Sequence, residues 1–405
     1  MSNNNENKEP LNKSFREPKL RFPEFNDNYL EYKFGDVFSI FNGLNKEKEA
    51  FGFGNPIVNY MDVNKNEFLL SSMIKGQVNT DEQEICRYSI TTSDILIART
   101  SETINEIAYS SCLLENISNC TYSGFLLKAS PKIKNIVFSP YIVLLLRSPI
   151  YRKKLMKLST ETSRALINSD NLAKLIFSIP DLKEQKKTWL LFNQLFKKIT
   201  ITEQKINILK KYKEGLIQQA LKSTIKTPLN RLINESIDKT ITNNQYVILS
   251  STAKGIFLQS DFFNHQIASK NNTGYKILKE GQIVFSPQNL WLGNINLLEK
   301  YKIGCVSPSY KVFDINRKII DSKYLIEIMK TKIFLHKYKL CSEQGASVVR
   351  RNLDLDQFLN IKVPIPSNNK FYNLLNKFSD LIEIESSILS IIISIKNYLL
   401  KNMFI

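Results

Sequence analysis

Leu191–Leu221 reads LFNQLFKKITITEQKINILKKYKEGLIQQAL, and Leu374–Phe404 reads LLNKFSDLIEIESSILSIIISIKNYLLKNMF. At a constant offset of 183 residues, seven of 31 positions are identical: Leu191/Leu374, Asn193/Asn376, Ile199/Ile382, Ile201/Ile384, Ile208/Ile391, Lys213/Lys396 and Leu216/Leu399. The apolar pattern carries more than the identities. Phe192, Leu195, Ile199, Thr202, Ile206, Leu209, Lys213, Leu216 and Ala220 step by alternating three and four, which is a heptad seam. Leu375, Phe378, Ile382, Glu385, Leu389, Ile392, Lys396, Leu399 and Met403 make the same steps. The polar breaks fall at matching places, Thr202 with Glu385 and Lys213 with Lys396. Neither stretch contains a proline, so both predict long helices with one apolar stripe. The simplest partner for each stripe is the other. An antiparallel pair with its centres aligned would set Lys210 beside Glu385.

Working outward, each helix follows a strand-like exit closed by proline: Leu175-Ile-Phe-Ser-Ile-Pro180 and Leu359-Asn-Ile-Lys-Val-Pro364. Further upstream, Asp94-Ile-Leu-Ile-Ala-Arg99 matches Gly281-Gln-Ile-Val-Phe-Ser286 in pattern. Phe138-Ser-Pro-Tyr-Ile142 and Ile320-Asp-Ser-Lys-Tyr324 each open a short apolar helix. The chain therefore reads as globule, helix, globule, helix. The expected boundaries are a polar disordered tail at 1–17, a first globule at 18–182 and a central spacer helix at 183–226. A second globule follows at 227–366, then a distal spacer helix at 367–405. The fold class is α+β: two pseudo-repeated mixed globules separated by two long helices that form an antiparallel coiled coil.

The 405 residues carry 56 Lys and Arg against 38 Asp and Glu, a formal charge of +18. That surplus points to an acidic polymer as partner, nucleic acid before an anionic membrane surface. Residues 183–226 alone hold eleven lysines against three glutamates. The five cysteines, Cys86, Cys112, Cys120, Cys305 and Cys341, are odd in number and lack any Cys-x-x-Cys, which argues for free thiols in a reducing compartment. The two histidines, His265 and His336, lie far apart and do not suggest a metal site. The N-terminus has no apolar core of a signal peptide. The most apolar run, Ser386–Ile395, is too short for a bilayer, which needs about 20 residues. A cytoplasmic protein with no membrane span is expected.

A basic protein with two similar globules on a rigid spacer suits DNA. From Lys183 to Leu221 the helix would measure about 58 Å at about 1.5 Å per residue. One duplex turn is about 34–36 Å, so the spacer could set two readers a turn or more apart.

Several stretches resemble the specificity subunits of type I restriction–modification systems. Pro18-Lys-Leu-Arg-Phe-Pro-Glu-Phe25 followed by Tyr32-Lys-Phe-Gly-Asp36 resembles the family's opening. Ser178-Ile-Pro-Asp-Leu-Lys-Glu-Gln-Lys186 resembles the exit into the family's central helix. Ile206-Asn-Ile-Leu-Lys-Lys-Tyr-Lys-Glu-Gly-Leu-Ile-Gln-Gln219 resembles that helix's end, and Arg350–Pro366 resembles the close of the second globule. The resemblance spans nearly the whole chain after the tail. Ser367-Asn-Asn-Lys370 departs from it by lacking the Glu184-Gln185 step. The resemblance implies two target recognition domains, each reading half of a split double-stranded DNA site. It implies helices that hold methyltransferase subunits, two in number, and restriction subunits that join them. It places AdoMet, ATP and Mg²⁺ on those partners and no cofactor on this chain.

The residues themselves offer no catalytic set. There is no Gly-x-x-x-x-Gly-Lys-Ser/Thr phosphate loop and no Asn-Pro-Pro-Tyr tetrapeptide. Phe51-Gly-Phe-Gly-Asn-Pro56 runs into proline and reads as a loop. Asp181, Glu184 and Lys186 faintly suggest a nuclease, but Asp181 is better placed to cap the helix. Candidate DNA contacts are donors in polar stretches at matching places. In the first globule these are Arg99, Thr100, Ser101, Asn105, Ser163 and Arg164. In the second they are Ser286, Gln288, Asn289, Trp291, Gln344, Ser347, Arg350 and Arg351. Arg forks onto guanine and Asn or Gln onto adenine, while Ser and Thr mostly bond phosphates. Each could instead be an ordinary loop residue. Arg350 and Arg351 could pair with Asp354 or Asp356, and Trp291 could anchor a core. The alternative functions are a stand-alone regulatory or structural DNA-binding protein and, less well supported, a nuclease.

Overall fold

The computed structural model describes residues 12–14, 17–133, 135–161, 163–262, 271–344, 350–366 and 369–405. The chain forms two compact units: Met1–Ile201 with Ile388–Ile405, and Thr202–Ser387.

In the first unit a five-stranded sheet runs in the order Phe38–Asn42, Leu126–Pro131, Ile95–Ala98, Ser110–Leu113, Phe68–Leu69. Its first four strands are antiparallel neighbours. In the second unit a four-stranded antiparallel sheet runs Ile233–Glu235, Lys311–Ile315, Ile283–Phe285, Ile295–Leu297. Taken in chain order, the strands hold the same places in both sheets. This is the repeat that the matching strand patterns suggested. In each unit two short helices follow the sheet: Ser139–Arg147 and Pro149–Leu158 in the first, Ser322–Met329 and Lys332–Leu340 in the second. Ser139–Arg147 is buried over most of its length, which is why it carries an unbroken run of Ile, Val and Leu.

Entry and exit strands pair side by side. Ile176–Ile179 lies antiparallel to Tyr29–Lys33, and Lys362–Pro364 lies antiparallel to Lys226–Pro228. The second exit is shorter than its alternating sequence suggests. Leu355–Leu359 is a helix, because Asp354 caps it by accepting from the Gln357 amide at 3.0 Å. Phe358 then turns inward between Phe285 and Tyr338. Two other expectations are corrected. Asn12–Ser14, placed in a disordered tail, pairs as a strand with Tyr29–Glu31. Phe51–Val58, read as a loop, is a bulged strand in which Phe51 and Asn55 both face Val78. Gly52 and Gly54 make the bulge by adopting φ of +100° and +93°.

The long helices span Leu182–Leu221 and Asn369–Asn402. The central helix stops short of the expected 226, since Lys226 already belongs to the entry strand of the second unit. Every seam position on both helices is buried or half-buried, including Phe192, Leu195, Ile199, Ile206, Leu209 and Leu216 on the central helix. The same holds for Leu375, Phe378, Ile382, Leu389, Ile392 and Leu399 on the distal helix. Ile201 and Ile208, off the seam, are exposed. The helices run antiparallel within each unit. In the first, Phe192 meets Phe404 at 6.0 Å and Lys396 lies 4.9 Å over the Phe196 ring. In the second, Tyr212 stacks on Phe378 at 6.1 Å and Lys205 pairs with Glu385. In this register Lys205 rather than Lys210 reaches Glu385. Each core also takes a helix end. Leu400, Met403 and Phe404 join the first core, and Ile217 and Ala220 join the second.

Among the described residues no helix is long and apolar enough to cross a membrane. The five cysteines are free. Cys112, Cys120 and Cys305 are buried, whereas Cys86 is exposed.

Candidate nucleic-acid interface

In the first unit a small sheet of Thr160–Glu161, Ala165–Leu166 and Thr100–Ser101 joins segments distant in sequence. Ala165 faces Ser101 and Leu166 faces Thr100. Arg99, Thr100 and Ser101 are thereby brought beside Ser163 and Arg164. The Arg99 amide donates to the Phe125 carbonyl at 2.9 Å, which fixes a third segment there. These segments border an open cleft of about 190 Å³, lined by Tyr60, Thr100, Ser101, Glu102, Phe125 and Arg164. Ser101 is buried at its floor and accepts from the Tyr60 hydroxyl at 3.2 Å and the Thr103 amide at 3.3 Å. Asn64 in turn donates to the Tyr60 hydroxyl at 2.7 Å.

Sequence reasoning missed Tyr60, Glu102 and Phe125. Phe125 is 56% exposed, directly before a buried strand, and an exposed aromatic there is the signal that could have found it. Asn105 sits on the adjacent turn Ile104–Glu106 with its side chain exposed. Its carbonyl accepts from Arg152 at 3.1 Å. Arg147 and Arg152 both lie over the Tyr109 ring, at 4.8 and 4.6 Å. Arg147 is spent on the carbonyls of Ser110, Val63 and Asn66, so it braces the interface from behind. Burial pushes the Arg152 guanidinium down to about 10.

In the second unit Ser286, Gln288, Asn289 and Trp291 occupy or border the 3-10 helix Pro287–Leu292, which follows Ile283–Phe285 directly. This turn packs against Lys332–Leu340 and the strand Arg351–Leu353. Gln344 and Arg351 face each other across a hairpin. The structure thus brings these groups together as well, with differences in role. Arg351 donates to Ser342 Oγ at 2.8 Å, to the Lys339 carbonyl at 3.1 Å and to the Ser342 carbonyl. It holds its own hairpin and pairs with neither Asp354 nor Asp356. Arg350 is exposed and has no partner among the described residues. Gln288 and Gln344 are exposed, and Trp291 packs on the second core. Ser347 and His265 lie outside the described residues.

The junction at 180–185 is structural. Asp181 accepts from the Glu184 amide at 2.8 Å, and Glu184 is buried in a two-pronged pair with Arg21 at 3.0 and 2.9 Å. Gln185 donates to the Ile136 and Pro180 carbonyls and accepts from the Phe138 amide. This explains the Glu-Gln step: it pins the helix start to the first globule. The nuclease reading loses both carboxylates to these bonds. The seam lysines do comparable work. Lys396 pairs with Glu67 at 2.8 Å in the first unit, and Lys213 pairs with Glu327 at 2.7 Å in the second. Burial alone would raise the Glu67 carboxyl, but Lys396 and Arg147 together hold it below the usual carboxylate range.

The model of the type I restriction modification DNA specificity domain matches residues 26–211. No curated protein matches the sequence. Among solved structures, the S subunit of a type I restriction–modification system from M. genitalium is 14% identical, covering 96% of this chain and 99% of its own, with a TM-score of 0.63. The HsdS subunit from Thermoanaerobacter tengcongensis is 12% identical, covering 93% of this chain and 96% of its own, with a TM-score of 0.43. A structure concerned with complex assembly of the type I system covers 92% and 96%, at 10% identity and a TM-score of 0.49. Residues 26–211 thus match the DNA specificity domain of type I restriction–modification systems, and along its length the chain has the fold of an S subunit.

Proposed function

We propose that each compact unit reads one half of a split, gapped double-stranded DNA site. The carrying observation is the duplicated sheet order, with polar reader segments following Ile95–Ala98 in one unit and Ile283–Phe285 in the other. In the first unit Arg99, Thr100, Ser101, Asn105, Ser163 and Arg164 face the duplex. In the second Ser286, Gln288, Asn289, Gln344 and Arg350 do so, while Arg351 and Trp291 support them. The central and distal helices set the gap and each offers its outer face to one methyltransferase subunit, which restriction subunits then join. The chain supplies recognition. AdoMet, ATP and Mg²⁺ serve reactions on the partners, and the complex works in the cytoplasm. The expected salt dependence is steep, since each phosphate contact contributes a slope of about −0.9 in log K against log salt.

The test is modification-sensitive sequencing of host DNA with the gene intact and deleted. A gapped methylated motif that vanishes on deletion supports the reading. An unchanged methylome, together with failure to co-purify with a methyltransferase, would favour a stand-alone binder.

A further inference from the structure

The junction between globule and helix pair is built alike in the two units but filled in only one. At the 183-residue offset Lys213 matches Lys396, and Lys330 matches Arg147. Arg147 and Lys330 stand at the same place, where the first short helix of each unit ends. In the first unit Glu67 comes to these cations. It accepts from Lys396 at 2.8 Å and lies in the field of Arg147. Phe68, beside it, stacks on Trp189 at 5.2 Å and meets Phe196 edge-on at 5.1 Å. Phe68–Leu69 is also the fifth strand of the sheet. One acidic–aromatic pair thus fills the junction.

Among the described residues the second sheet ends at Ile295–Leu297, without a fifth strand. Its junction is an open groove of about 380 Å³, where Lys210, Lys213, Lys330 and Lys332 outnumber Glu214 and Glu327. Lys213 is answered by Glu327 at 2.7 Å, as Lys396 is by Glu67. The other lysines keep donors to spare. An ammonium has three N–H groups, and Lys330 spends one on Asn296 Oδ1 at 2.8 Å. Lys210 and Lys332 are exposed and have no partner among the described residues. Ile217, Ile333 and Ile382 add an apolar wall, and Ile333 is 46% exposed.

Resting on the methyltransferase docking proposed above, we infer that the subunit held by the central helix inserts an acidic residue with an adjoining apolar one into this groove. The first unit shows the chemistry that fits, a carboxylate for the cations and an apolar ring beside it. A DNA phosphate would answer the lysines but leave the isoleucine wall in water.

The test titrates methyltransferase subunits into the full chain and reads the affinity of each of the two sites. In Lys210→Glu with Lys332→Glu, one site should weaken on the order of 10-fold at low salt while the other holds. The loss should shrink as salt rises, because exposed charges are screened. Ile333→Ser should weaken the same site with little dependence on salt. Lys254→Glu with Lys302→Glu reverses two exposed lysines of the same unit outside the groove, and should leave both sites near wild type. Unchanged affinity at both sites in the groove variants would overturn the inference while leaving the docking itself intact, as would an equal loss in the control. A fall in the DNA affinity of the assembled complex, with both methyltransferase affinities intact, would assign the lysines to phosphate and overturn it too. Should the double reversal fail to fold, Ile333→Ser decides. A wild-type chain that binds no methyltransferase would overturn the proposed docking, and the groove assignment with it.

Discussion

At the offset that aligns the seams, the outer faces of the two helices diverge. The central helix shows Lys198, Ile201 and Ile208 where the distal helix shows Leu381, Ile384 and Ile391, and its Lys205 and Tyr212, which reach across to Glu385 and Phe378, stand where the distal helix shows Ile388 and Ile395. All five distal residues are exposed, from 40% at Ile388 to 60% at Ile391. The seams, by contrast, stay buried or half-buried on both helices. The seam answers to folding and is kept in both copies. The outer face answers to whatever meets it, and there the copies have parted. An isoleucine row without an intramolecular cover is costly in water, so it points to an apolar partner surface. On the proposed function the two methyltransferase contacts are therefore chemically unequal, one apolar and one partly charged.

This contrast can be broken at its buried side first. Phe192 is fully buried and packs on Phe404. Phe192→Ala should destabilise the purified chain by about 3–5 kcal/mol in denaturant titration. A loss under about 1 kcal/mol would mean that the helix pair does not hold the first core.

The seam lysines come next. Lys396→Met leaves Glu67 short of its partner in a largely buried setting, and should cost about 1–3 kcal/mol. The exposed pair Lys279–Asp238 has side chains 52% and 48% accessible, and its loss should cost under about 1 kcal/mol. The carboxyl of Glu67 titrates lower folded than unfolded, where the ordinary value is about 4.3. Its stabilisation is thus complete above that value and is lost as pH falls through the lower folded one. Thermal melts of wild type and Glu67→Gln should converge on acidification below about pH 4. Curves that stay parallel down to that pH would remove Glu67 from the account.

The outer face should respond least in stability and most in assembly. Ile388→Lys with Ile391→Lys should change stability by about 0.5 kcal/mol or less, because both side chains already face water. Light scattering of the reconstituted complex should nevertheless show one methyltransferase subunit lost. Retention of both subunits would sever the link between the apolar row and the partner.

Much of the frame was legible because its signals are periodic. The three-four stepping of Phe192 through Ala220 and the proline-closed exits survive in isolation from the rest of the fold. Leu355–Leu359 was not legible, since Leu359-Asn-Ile-Lys-Val alternates like a strand while Asp354 quietly caps a helix. The pairing of Lys205 with Glu385 was not legible either, because a heptad seam fixes which face is buried and not the register against the partner helix. The cleft was half legible. Ser101 and Arg164 stood out as donors, but Tyr60 joins through a hydrogen bond across 41 residues. The strands that assemble the cleft are two residues long, too short to show any period.

The central claim is that the two units read independently. The most direct measurement exchanges residues 18–182 for the corresponding globule of a specificity subunit of known target, and then sequences the methylated motif. The account predicts that one half of the motif changes to the donor's half, while the other half and the gap remain. A motif altered in both halves, or in neither, would contradict it.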